Sequence, residues 1–403
     1  MRHVPLSIAA HTAVSAMGIG LDATRAALRE RRGGLAPCTL PGTPEGIWVG
    51  RVPGLEEVAL PEPALARFAC RNNRLAELAL RTDGFAEAVA EARERHGAER
   101  IAVVLGTSTA GIEETEQAYR RRDAEGRLPA DFDFEHTHDL YALPRYVRSR
   151  LGLRGPAMVI STACTSGARA WLDAAALIAA GVADAAVVGG VDTLCRMTLH
   201  GFASLELLAR GGPTRPCAAD RDGISIGEAA AFALLERPHE GTARDGLALL
   251  GAGASADGHH MSTPHPEGLG AMAAMRAALD AAGLAPRDIG YVNLHGTGTR
   301  TNDAMEDRAV TAVFGPRGVP CSSTKGWSGH ALGASGALEA TIAALCVEDG
   351  LIPGCLGIEE ADPGFESDIL TENREAPGLT RVLSNSFGFG GSNCALVIGR
   401  LPA

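Results

Sequence analysis

Short apolar runs without polar alternation recur along the chain, and longer stretches with helical spacing lie between them. Continuous apolar runs predict strands that are covered on both faces, because a half-exposed strand alternates polar and apolar residues. The predicted strands are 101–107, 157–163, 185–191, 229–235, 290–294, 319–323, 382–385 and 394–398. The predicted helices are 69–95, 166–180, 269–282, 303–314 and 333–347. This alternation predicts an α/β fold in which helices cover both faces of the sheets.

The chain also contains a faint internal repeat. The predicted strand 157–163 leads to Ser-Gly-Ala at residues 166–168, and the predicted strand 319–323 leads to the same tripeptide at 335–337. In both places a strand, a loop and an Ala-rich helix follow one another. The repeat favours a fold made of two similar halves.

The length and composition agree with two halves. The chain of 403 residues exceeds a typical single domain and is long enough for two closely packed units. We place them at 1–240 and 241–403, with the joint near 238–246. Hydrophobic residues make up 46% and aromatic residues only 4%, so Ala, Leu and Val must supply most of the core. The charged segment 120–139 lacks clear periodicity and is predicted to be a surface excursion.

Charge and cysteine content exclude several classes of protein. The net charge of −11 argues against non-specific nucleic-acid binding, which needs a basic surface. The nine cysteines, an odd number without close pairing, are typical of a reducing compartment. His3 and His11 interrupt the apolar N-terminal stretch, which argues against a signal peptide, and no apolar run reaches the length of about 20 residues that a membrane span needs. We therefore expect a cytoplasmic protein without a membrane span.

Cys164 lies where a predicted strand ends and an Ala-rich helix begins. A thiol at the start of a helix faces the positive end of the helix dipole and unpaired backbone N–H groups, which favour the thiolate and lower the thiol pKa. This position predicts a nucleophile. The alternative is a structural cysteine, since free cysteines are among the most buried residues.

Two histidine-bearing loops make a site near Cys164 more plausible. His295 follows a predicted strand on a Gly/Thr loop, and Lys325 and His330 lie on a second loop that precedes another Ala-rich helix. A lone histidine is usually structural. Two histidines on strand-end loops, with a lysine and a strand-end cysteine, predict a shared catalytic cleft.

Together these motifs resemble those of the β-ketoacyl-acyl-carrier-protein synthases, the condensing enzymes of fatty-acid and polyketide assembly. The matching segments are TACTSG at 162–167, HGTGT at 295–299, Lys325 with Gly329-His330, NSFGFGGSN at 385–393 and, more weakly, DRDGISIGE at 220–228. They occur in family order and span nearly the whole chain. The resemblance implies a thiolase-like fold, in which two similar halves form five α/β layers. It also implies a decarboxylative condensation that extends an acyl chain by two carbons.

The resemblance assigns roles to individual residues. Cys164 would hold the acyl group, and His295 and His330 would stabilise the enolate oxygen by donating ring N–H groups. Lys325 would balance charge around His330. The backbone N–H groups of Cys164 and Phe389 would form the oxyanion hole, with Phe389 as a gate. Thr297, Thr299 and His260 would line the pantetheine channel, Glu339 and Asp303 would support the site, and Asn293, Glu339 and Asn385 would surround a monovalent cation.

The resemblance also implies partners. The family has no tightly bound cofactor, and an acyl carrier protein supplies the phosphopantetheine arm. The expected assembly is a homodimer, or a heterodimer with a chain-length-factor-like paralogue. Carriers are acidic, so docking requires a basic patch. The arginines proposed for it are Arg67, Arg71, Arg74, Arg120, Arg121 and Arg122. The alternative for these side chains is ordinary solvated charge.

Several alternatives follow from the same residues. A biosynthetic thiolase needs a second cysteine in the final Gly-rich loop, and that loop has none. Synthases that start chains from coenzyme A thioesters have Asn where this chain has His330. Chain-length-factor subunits, which have a structural role, lack the nucleophile. The histidines in 135–139 and 259–265 do not have a recognised zinc spacing, so no metal is expected there.

Departures from the common motifs indicate a specialised pathway. Gly-Glu-Ala-Ala stands at 227–230 where Gly-Glu-Gly-Ala is commoner, Gly-Gly-Ser-Asn stands at 390–393 where Gly-Gly-Thr-Asn is usual, and Trp327 is bulky for its loop. These variants are closer to the ketosynthases of aryl polyene pigment clusters than to primary fatty-acid enzymes.

Overall fold

The computed structural model describes residues 4–61, 63–239, 241–243 and 245–401. Its strands are β1 (Leu6–Ser15), β2 (Gly18–Ile19), β3 (Leu35–Pro37), β4 (Trp48–Gly50), β5 (Ile101–Gly106), β6 (Ala157–Ile160), β7 (Ala185–Asp192), β8 (Ile226–Gly227), β9 (Ala229–Glu236), β10 (Leu247–Ala256), β11 (Tyr291–Asn293), β12 (Pro320–Ser322), β13 (Leu351–Ile352), β14 (Asp368–Ile369), β15 (Arg374–Glu375), β16 (Arg381–Gly388) and β17 (Ser392–Arg400). Its α-helices are α1 (Leu21–Glu30), α2 (Arg71–Leu80), α3 (Phe85–His96), α4 (Ile112–Arg120), α5 (Phe134–Thr137), α6 (Ala142–Arg150), α7 (Ser166–Ala179), α8 (Arg196–Ser204), α9 (Leu269–Ala282), α10 (Arg300–Phe314), α11 (Lys325–Ser328) and α12 (Ser335–Asp349). Among the described residues, no helix is long and apolar enough to cross a membrane.

The main sheet consists of two sections with the same strand order. The first section runs β1-β9-β7-β5-β6, and the second runs β10-β17-β16-β11-β12 with β14 added at its edge. In both sections the first two pairings are antiparallel and the next two are parallel. The sections meet where β1 pairs with β10 at Leu6–Leu249 and Ser7–Ala248. The predicted α/β class and its repeat are therefore confirmed.

Helices fill the space between the two sections and cover their outer faces. Helices α7 and α12 pack against each other in the centre, where apolar side chains from both sections join one core. Helices α2, α3 and α6 cover the outer face of the first section, and α9 and α10 cover that of the second. The result is the five-layer arrangement α-β-α-β-α.

The two central helices approach each other through their repeated Ser-Gly-Ala tripeptides. A β carbon on Gly167 would lie 2.8 Å from the Ala337 nitrogen, and a β carbon on Gly336 would lie 2.7 Å from the Ala168 nitrogen. Each glycine therefore provides the space that the other helix occupies. This reciprocal contact places the loop before α7 opposite the loop before α12.

Some predicted boundaries are wrong. The single helix expected over 69–95 is two helices, α2 and α3, because Asp83 (φ 57°) and Gly84 (φ 69°) turn the chain between them. The Asp83 carboxylate is bound there by the Thr12 hydroxyl at 2.8 Å and the Leu21 backbone N–H at 3.1 Å. The sequence patterns also missed β10 and helices α1, α4, α6 and α8. Within the predicted surface excursion 120–139, residues 120–135 are largely exposed, whereas His136 and Thr137 in α5 are buried.

Candidate active site

Cys164 lies in the short turn between β6 and α7, and its side chain faces inward. Ala163, directly before it, has φ of 54°, a left-handed conformation that an L-residue other than glycine rarely adopts. The turn leaves Cys164 only 7% exposed. A strained residue at this position aims the sulfur at the loops of the other half.

His330 contacts the sulfur directly. Its Nε2 lies 3.0 Å from Cys164 Sγ, while its Nδ1 accepts the backbone N–H of Leu332 at 3.2 Å and lies 2.8 Å from the Ser335 hydroxyl. A backbone N–H can only donate, so Nδ1 of a neutral ring carries no proton and Nε2 carries it. His330 therefore presents an N–H donor to the reaction centre.

His295 is held in the same tautomer by Lys325. The Lys325 ammonium lies 3.2 Å from His295 Nδ1, and it also donates to the His295 carbonyl oxygen and to Glu339 Oε1. Because an ammonium has no acceptor, His295 Nδ1 accepts and Nε2 carries the proton. The two imidazole rings are nearly perpendicular, with centroids 5.3 Å apart. One nitrogen from each ring and the Cys164 sulfur all lie within 4.8 Å of one another.

Burial keeps both imidazoles neutral. Loss of hydration, together with the positive charge of Lys325, lowers the pKa of His295 and of His330 well below the usual value for histidine. Burial also raises the pKa of Glu339 to about 7, although Lys325 opposes this shift. Neutral rings with a fixed tautomer are suited to donate hydrogen bonds toward a developing negative charge.

The predicted direction of the Cys164 pKa is wrong. Burial raises the pKa of this thiol to about 11, while the charge of Lys325 and the backbone N–H groups of Phe389 and Cys164 act in the opposite direction. The favourable groups are present, but the loss of hydration outweighs them. The site with no substrate bound therefore holds Cys164 as a thiol at neutral pH.

The Gly-rich loop after β16 approaches the nucleophile closely. A β carbon on Gly388 would lie 3.0 Å from Thr162 O and 3.2 Å from the Cys164 nitrogen, so glycine provides the space for this approach. The backbone N–H of the next residue, Phe389, lowers the Cys164 pKa, and its ring stacks on Phe202 with centroids 5.7 Å apart. Phe202 is a functional candidate that no sequence motif indicated.

Two cavities meet at Cys164. A cavity of about 230 Å³ contains both imidazoles and the hydroxyl residues Thr297 and Thr299. A mainly apolar cavity of about 290 Å³ lies on the other side and is lined by residues that include Ala163, Gly201 and Leu332. Cys164, Phe202, Leu205 and Phe389 line both cavities. The stacked Phe202 and Phe389 rings thus lie where the two spaces join.

Buried carboxylates fix the first histidine loop. Glu306 accepts the backbone N–H groups of His295 at 2.8 Å and Gly296 at 2.7 Å, and burial raises its pKa to about 7. Asp303 accepts the N–H groups of Gly298 and Cys217 at 3.2 and 2.9 Å. Asp303 was expected from the sequence, whereas Glu306 was not assigned a role. The sequence signal that could have indicated Glu306 is an acidic residue in the second turn of the helix that follows the histidine loop.

Two expected binding residues lie elsewhere. His260 is exposed and does not line the cavity; its Nδ1 instead accepts the N–H groups of Ser262 and Thr263, which do line it. Arg71 is 8% exposed, and its guanidinium binds the buried Glu228 and the exposed Glu56. A buried, paired arginine is not available to a carrier protein, so both assignments are corrected.

The other arginines proposed for docking are more accessible. Arg67 is exposed and lies 3.4 Å from Asp133, Arg120 is exposed, and Arg74 is half-buried with its guanidinium on the Glu56 carbonyl oxygen. Arg121 pairs with Asp131, and Arg122 lies over the Tyr119 ring. All except Arg71 remain compatible with a docking surface.

Three of the residues expected around a monovalent cation have buried oxygens on β11, β16 and α12 that are unpaired among the described residues. Asn293 Oδ1, Asn385 Oδ1 and Glu339 Oε2 are buried without a hydrogen-bond partner among the described residues. Asn293 lies beside Ser384 in the pairing of β11 with β16, and α12 packs on β16. Unpaired buried oxygens are costly unless a cation or water satisfies them.

Two family models match the chain: β-ketoacyl synthase, N-terminal domain, over residues 64–241, and β-ketoacyl synthase, C-terminal domain, over residues 247–359. A 3-oxoacyl-[acyl-carrier-protein] synthase 2 from Rhizobium meliloti is 37% identical over 311 residues, which cover 74% of this chain and 73% of the relative. The chain belongs to the β-ketoacyl synthase family. It is accordingly a condensing enzyme of the acyltransferase class.

Solved structures agree with this β-ketoacyl synthase fold. A ketosynthase (ApeO) in complex with its chain length factor (ApeC) from Xenorhabdus doucetiae has a TM-score of 0.89 at 38% identity, over 98% of both chains. A β-ketoacyl synthase from Burkholderia phymatum has a TM-score of 0.87 at 29% identity, over the full length of both chains. The expected thiolase-like architecture is thus confirmed.

Proposed function

We propose that Cys164 carries the acyl group and that His295 and His330 stabilise the enolate during decarboxylation of a malonyl thioester. One observation carries this proposal: Nδ1 of each ring is occupied by a donor, so both Nε2–H groups are free to donate beside the sulfur. Cys164 belongs to the proposed half 1–240, and both histidines belong to the proposed half 241–403. The reaction centre therefore lies between the halves.

In the transfer step, the Cys164 sulfur attacks the carbonyl carbon of the carrier thioester. The bond from that carbon to the carrier sulfur breaks, and the carrier thiol leaves with the proton that Cys164 gives up. The N–H groups of Cys164 and Phe389, which both favour negative charge at the sulfur, stabilise the oxyanion that forms beside it. His330 Nε2–H stabilises the thiolate that attacks.

In the condensation step, the carbon–carbon bond to the malonyl carboxylate breaks and carbon dioxide leaves. The electron pair of the broken bond stays with the remaining carbon and forms the thioester enolate. The Nε2–H groups of His295 and His330 donate to the enolate oxygen. The enolate carbon then attacks the acyl carbonyl on Cys164, and the carbon–sulfur bond of the acyl-enzyme breaks. Cys164 leaves as a thiolate and takes up a proton from water to regain its thiol. The product, two carbons longer, remains on the carrier.

The two cavities suit the two parts of the substrate. We assign the cavity lined by Thr297 and Thr299 to the phosphopantetheine arm of an acyl carrier protein, because amides and hydroxyls hydrogen-bond such an arm. We assign the mainly apolar cavity to the acyl chain. Carrier docking is assigned to the accessible arginines Arg67, Arg74 and those at 120–122.

A monovalent cation is proposed between Asn293, Asn385 and Glu339. It would satisfy their unpaired oxygens and support the backbone next to His295 and the Gly-rich loop. Lys325 already neutralises the other oxygen of Glu339, so an ion of single charge suits the remaining donors better than a divalent one.

We further propose a dimer with a chain-length-factor-like paralogue or with a second copy, acting in an aryl polyene pathway. The outer edge of β6 is unpaired within the described chain, and Met158 on it is 37% exposed, as expected of a strand that pairs with a partner. The likeness to a ketosynthase solved with its chain length factor favours the heterodimer. The departures from the common motifs favour the polyene branch.

A carrier panel tests this function. The purified protein is incubated with short, long, saturated and polyunsaturated acyl carriers, and the acylated enzyme is weighed intact and after proteolysis. We expect an acyl group on Cys164 alone among the nine cysteines, and none on a Cys164→Ala variant. An acyl group on another cysteine would contradict the assignment, and selective loading of polyunsaturated chains would support the polyene pathway.

A further inference from the structure

The segment 214–228, here called the bridging segment, contains the DRDGISIGE motif and has no part in the chemistry described so far. It lies between the two histidine loops and holds the backbone of both. On the side of the first loop, Gly223 N–H donates to Gly298 O at 3.0 Å. The Thr214 hydroxyl lies 3.1 Å from Thr297 O and 2.7 Å from Gly223 O.

Arg221 contacts the next two carbonyl oxygens, those of Thr299 and Arg300. Its Nε lies 3.4 Å from Thr299 O, and its Nη2 lies 3.3 Å from Arg300 O. Each of the four consecutive carbonyl oxygens of residues 297–300 therefore lies within hydrogen-bond distance of a donor on the bridging segment. Thr299 O also accepts the Asp303 N–H at 3.2 Å, at the start of α10. The Thr297 and Thr299 side chains line the cavity, and their hydroxyl oxygens lie 2.9 Å apart.

The Arg221 guanidinium is itself rigidly held. It is 4% exposed, its Nη1 binds Asp362 at 2.7 Å and Ala218 O at 2.8 Å, and it lies 4.8 Å from the centre of the Phe365 ring. Asp303, which also accepts the Gly298 N–H, lies 3.7 Å from Nε. Because the planar guanidinium is held by these acidic partners, its remaining N–H groups point in a defined direction.

The other end of the bridging segment holds the second histidine. The His330 N–H donates to Ser225 O at 2.8 Å, and the Gly227 N–H donates to His330 O at 3.0 Å. The Ser225 hydroxyl accepts the Thr214 N–H at 3.0 Å, which connects the two ends. One short segment thus fixes the loop of Thr297 and Thr299 relative to His330.

We propose that Arg221 is a positioning residue for the pantetheine arm. It fixes the carbonyl face of residues 297–300 so that the two threonine hydroxyls are presented to the arm before the substrate arrives. The inference rests on the proposed function and extends it from the threonines to the residue that orients them. Donors that are already in place bind the arm without the entropy cost of ordering the loop. Loss of Arg221 should therefore weaken binding of the arm and leave the rate of acyl transfer at saturation unchanged.

The test compares two acyl donors that share one acyl group: acyl-pantetheine, which has the arm, and the S-phenyl thioester, which lacks it. The rate of Cys164 acylation is followed by intact mass as a function of donor concentration. Three variants are used: Arg221→Gln, Arg221→Lys and Thr214→Val. The matched control is Arg215→Gln, because Arg215 lies on the same segment but its side chain is 36% exposed and forms its ion pair with the exposed Asp220.

Arg221→Gln should raise the half-saturating concentration of acyl-pantetheine about tenfold, the effect of losing roughly 1.4 kcal/mol of binding. The rate at saturation, and the rate with the S-phenyl donor, should change by less than about twofold, within the scatter of a surface change. Arg221→Lys, which keeps the charge but only part of the fork, should recover part of the affinity. The control should behave as the parent protein does.

Equal losses with both donors, or no change with acyl-pantetheine, would overturn the inference. If neither Arg221 variant folds, Thr214→Val decides, since it keeps the side-chain volume and removes only the hydroxyl beside Thr297 O. Its half-saturating concentration should rise about threefold for acyl-pantetheine alone. A parent protein that neither donor acylates at Cys164 would instead refute the proposed function.

Discussion

The reaction depends on which nitrogen of each imidazole carries the proton. Leu332 N–H fixes this for His330, and the Lys325 ammonium fixes it for His295. Both devices act on Nδ1, the nitrogen that faces away from the substrate. The partner of Nδ1 in each ring therefore determines that Nε2 carries the proton and can donate a hydrogen bond.

Variants of the histidines and of the cysteine should fail at different steps of the reaction. His295→Ala or His330→Ala should slow decarboxylation of malonyl carrier at least about a hundredfold, the scale for losing one preorganised donor. Cys164→Gln, whose amide imitates a filled acyl site, should still release carbon dioxide but form no condensation product. Carbon dioxide is measured apart from product. Normal release by His295→Ala together with none from Cys164→Gln would contradict these roles.

The buried thiol predicts an unusual pH profile. With a pKa of about 11, the reactive thiolate fraction should rise about tenfold per pH unit up to that value. The rate of Cys164 alkylation by iodoacetamide should therefore increase from pH 7 to pH 10 without a plateau. Peptide mapping assigns the rate to Cys164, with Cys164→Ala as the blank. A plateau near pH 8 would show that Lys325 and the backbone N–H groups outweigh burial.

The catalytic residue types could be predicted from local sequence, but their protonation could not. Cys164, His295 and His330 each follow a strand, and strand-end loops gather at one edge of a sheet. The pKa of Cys164 depends on how many distant residues cover it, and no local pattern contains that number. Arg71 was misassigned for the same reason, because its burial against Glu228 joins positions 157 residues apart.

At the level of elements, the spacing of α7 and α12 sets the distance between the two catalytic loops. The helices touch through Gly167 and Gly336, and no side chain intervenes at that point. Cys164 lies two residues before α7, and His330 lies five residues before α12. The 3.0 Å contact between their reactive atoms thus depends on two absent methyl groups.

Gly336→Ala should disturb both stability and chemistry. Its new methyl group would lie 2.7 Å from the Ala168 nitrogen, and overpacking of this kind typically costs about 1–3 kcal/mol. Denaturant unfolding measures the loss, and the alkylation rate of Cys164 reports the altered loop. The control is Gly378→Ala, which has open space around it, lies outside both cavities and should change stability by no more than about 0.5 kcal/mol. Equal behaviour of both variants would contradict the close approach.

Element prediction succeeded where the core is made of continuous apolar strands and failed where a turn interrupts a helical pattern. The break between α2 and α3 depends on Asp83, whose carboxylate binds Thr12 and Leu21. These partners are about 60 to 70 positions away, so helical spacing alone predicted one long helix. Strand β10 was missed because two glycines, Gly251 and Gly253, interrupt its apolar run, and both fit against α9.

For the whole molecule, a net charge of −11 must be reconciled with an acidic carrier. Long-range repulsion disfavours the encounter, so a local basic surface has to direct docking. Burial of Arg71 removes one arginine from that surface, while Arg67 stays exposed four residues earlier in the chain. The two side chains thus serve different purposes.

Charge reversal should distinguish the roles of Arg67 and Arg71. Arg67→Glu should raise the apparent KM for acyl carrier and leave turnover of small thioesters unchanged. Arg71→Glu should instead cost about 3–5 kcal/mol of stability, because it leaves the buried Glu228 without its cationic partner. Steady-state kinetics at two salt concentrations and denaturant unfolding distinguish these effects. Equal KM effects with and without the carrier would assign Arg67 a structural role as well.

Cys164 and His330 belong to the loops before α7 and α12, whose glycines make the same contact from opposite sides. The two residues are not at equivalent places, because Cys164 lies two residues before its Ser-Gly-Ala tripeptide and His330 lies five residues before its own. With the tripeptides aligned, Cys164 corresponds to Gly333 and His330 corresponds to Ser161. The helices of the repeat have thus kept a shared contact while the loops before them have diverged, and the reacting pair depends on that divergence.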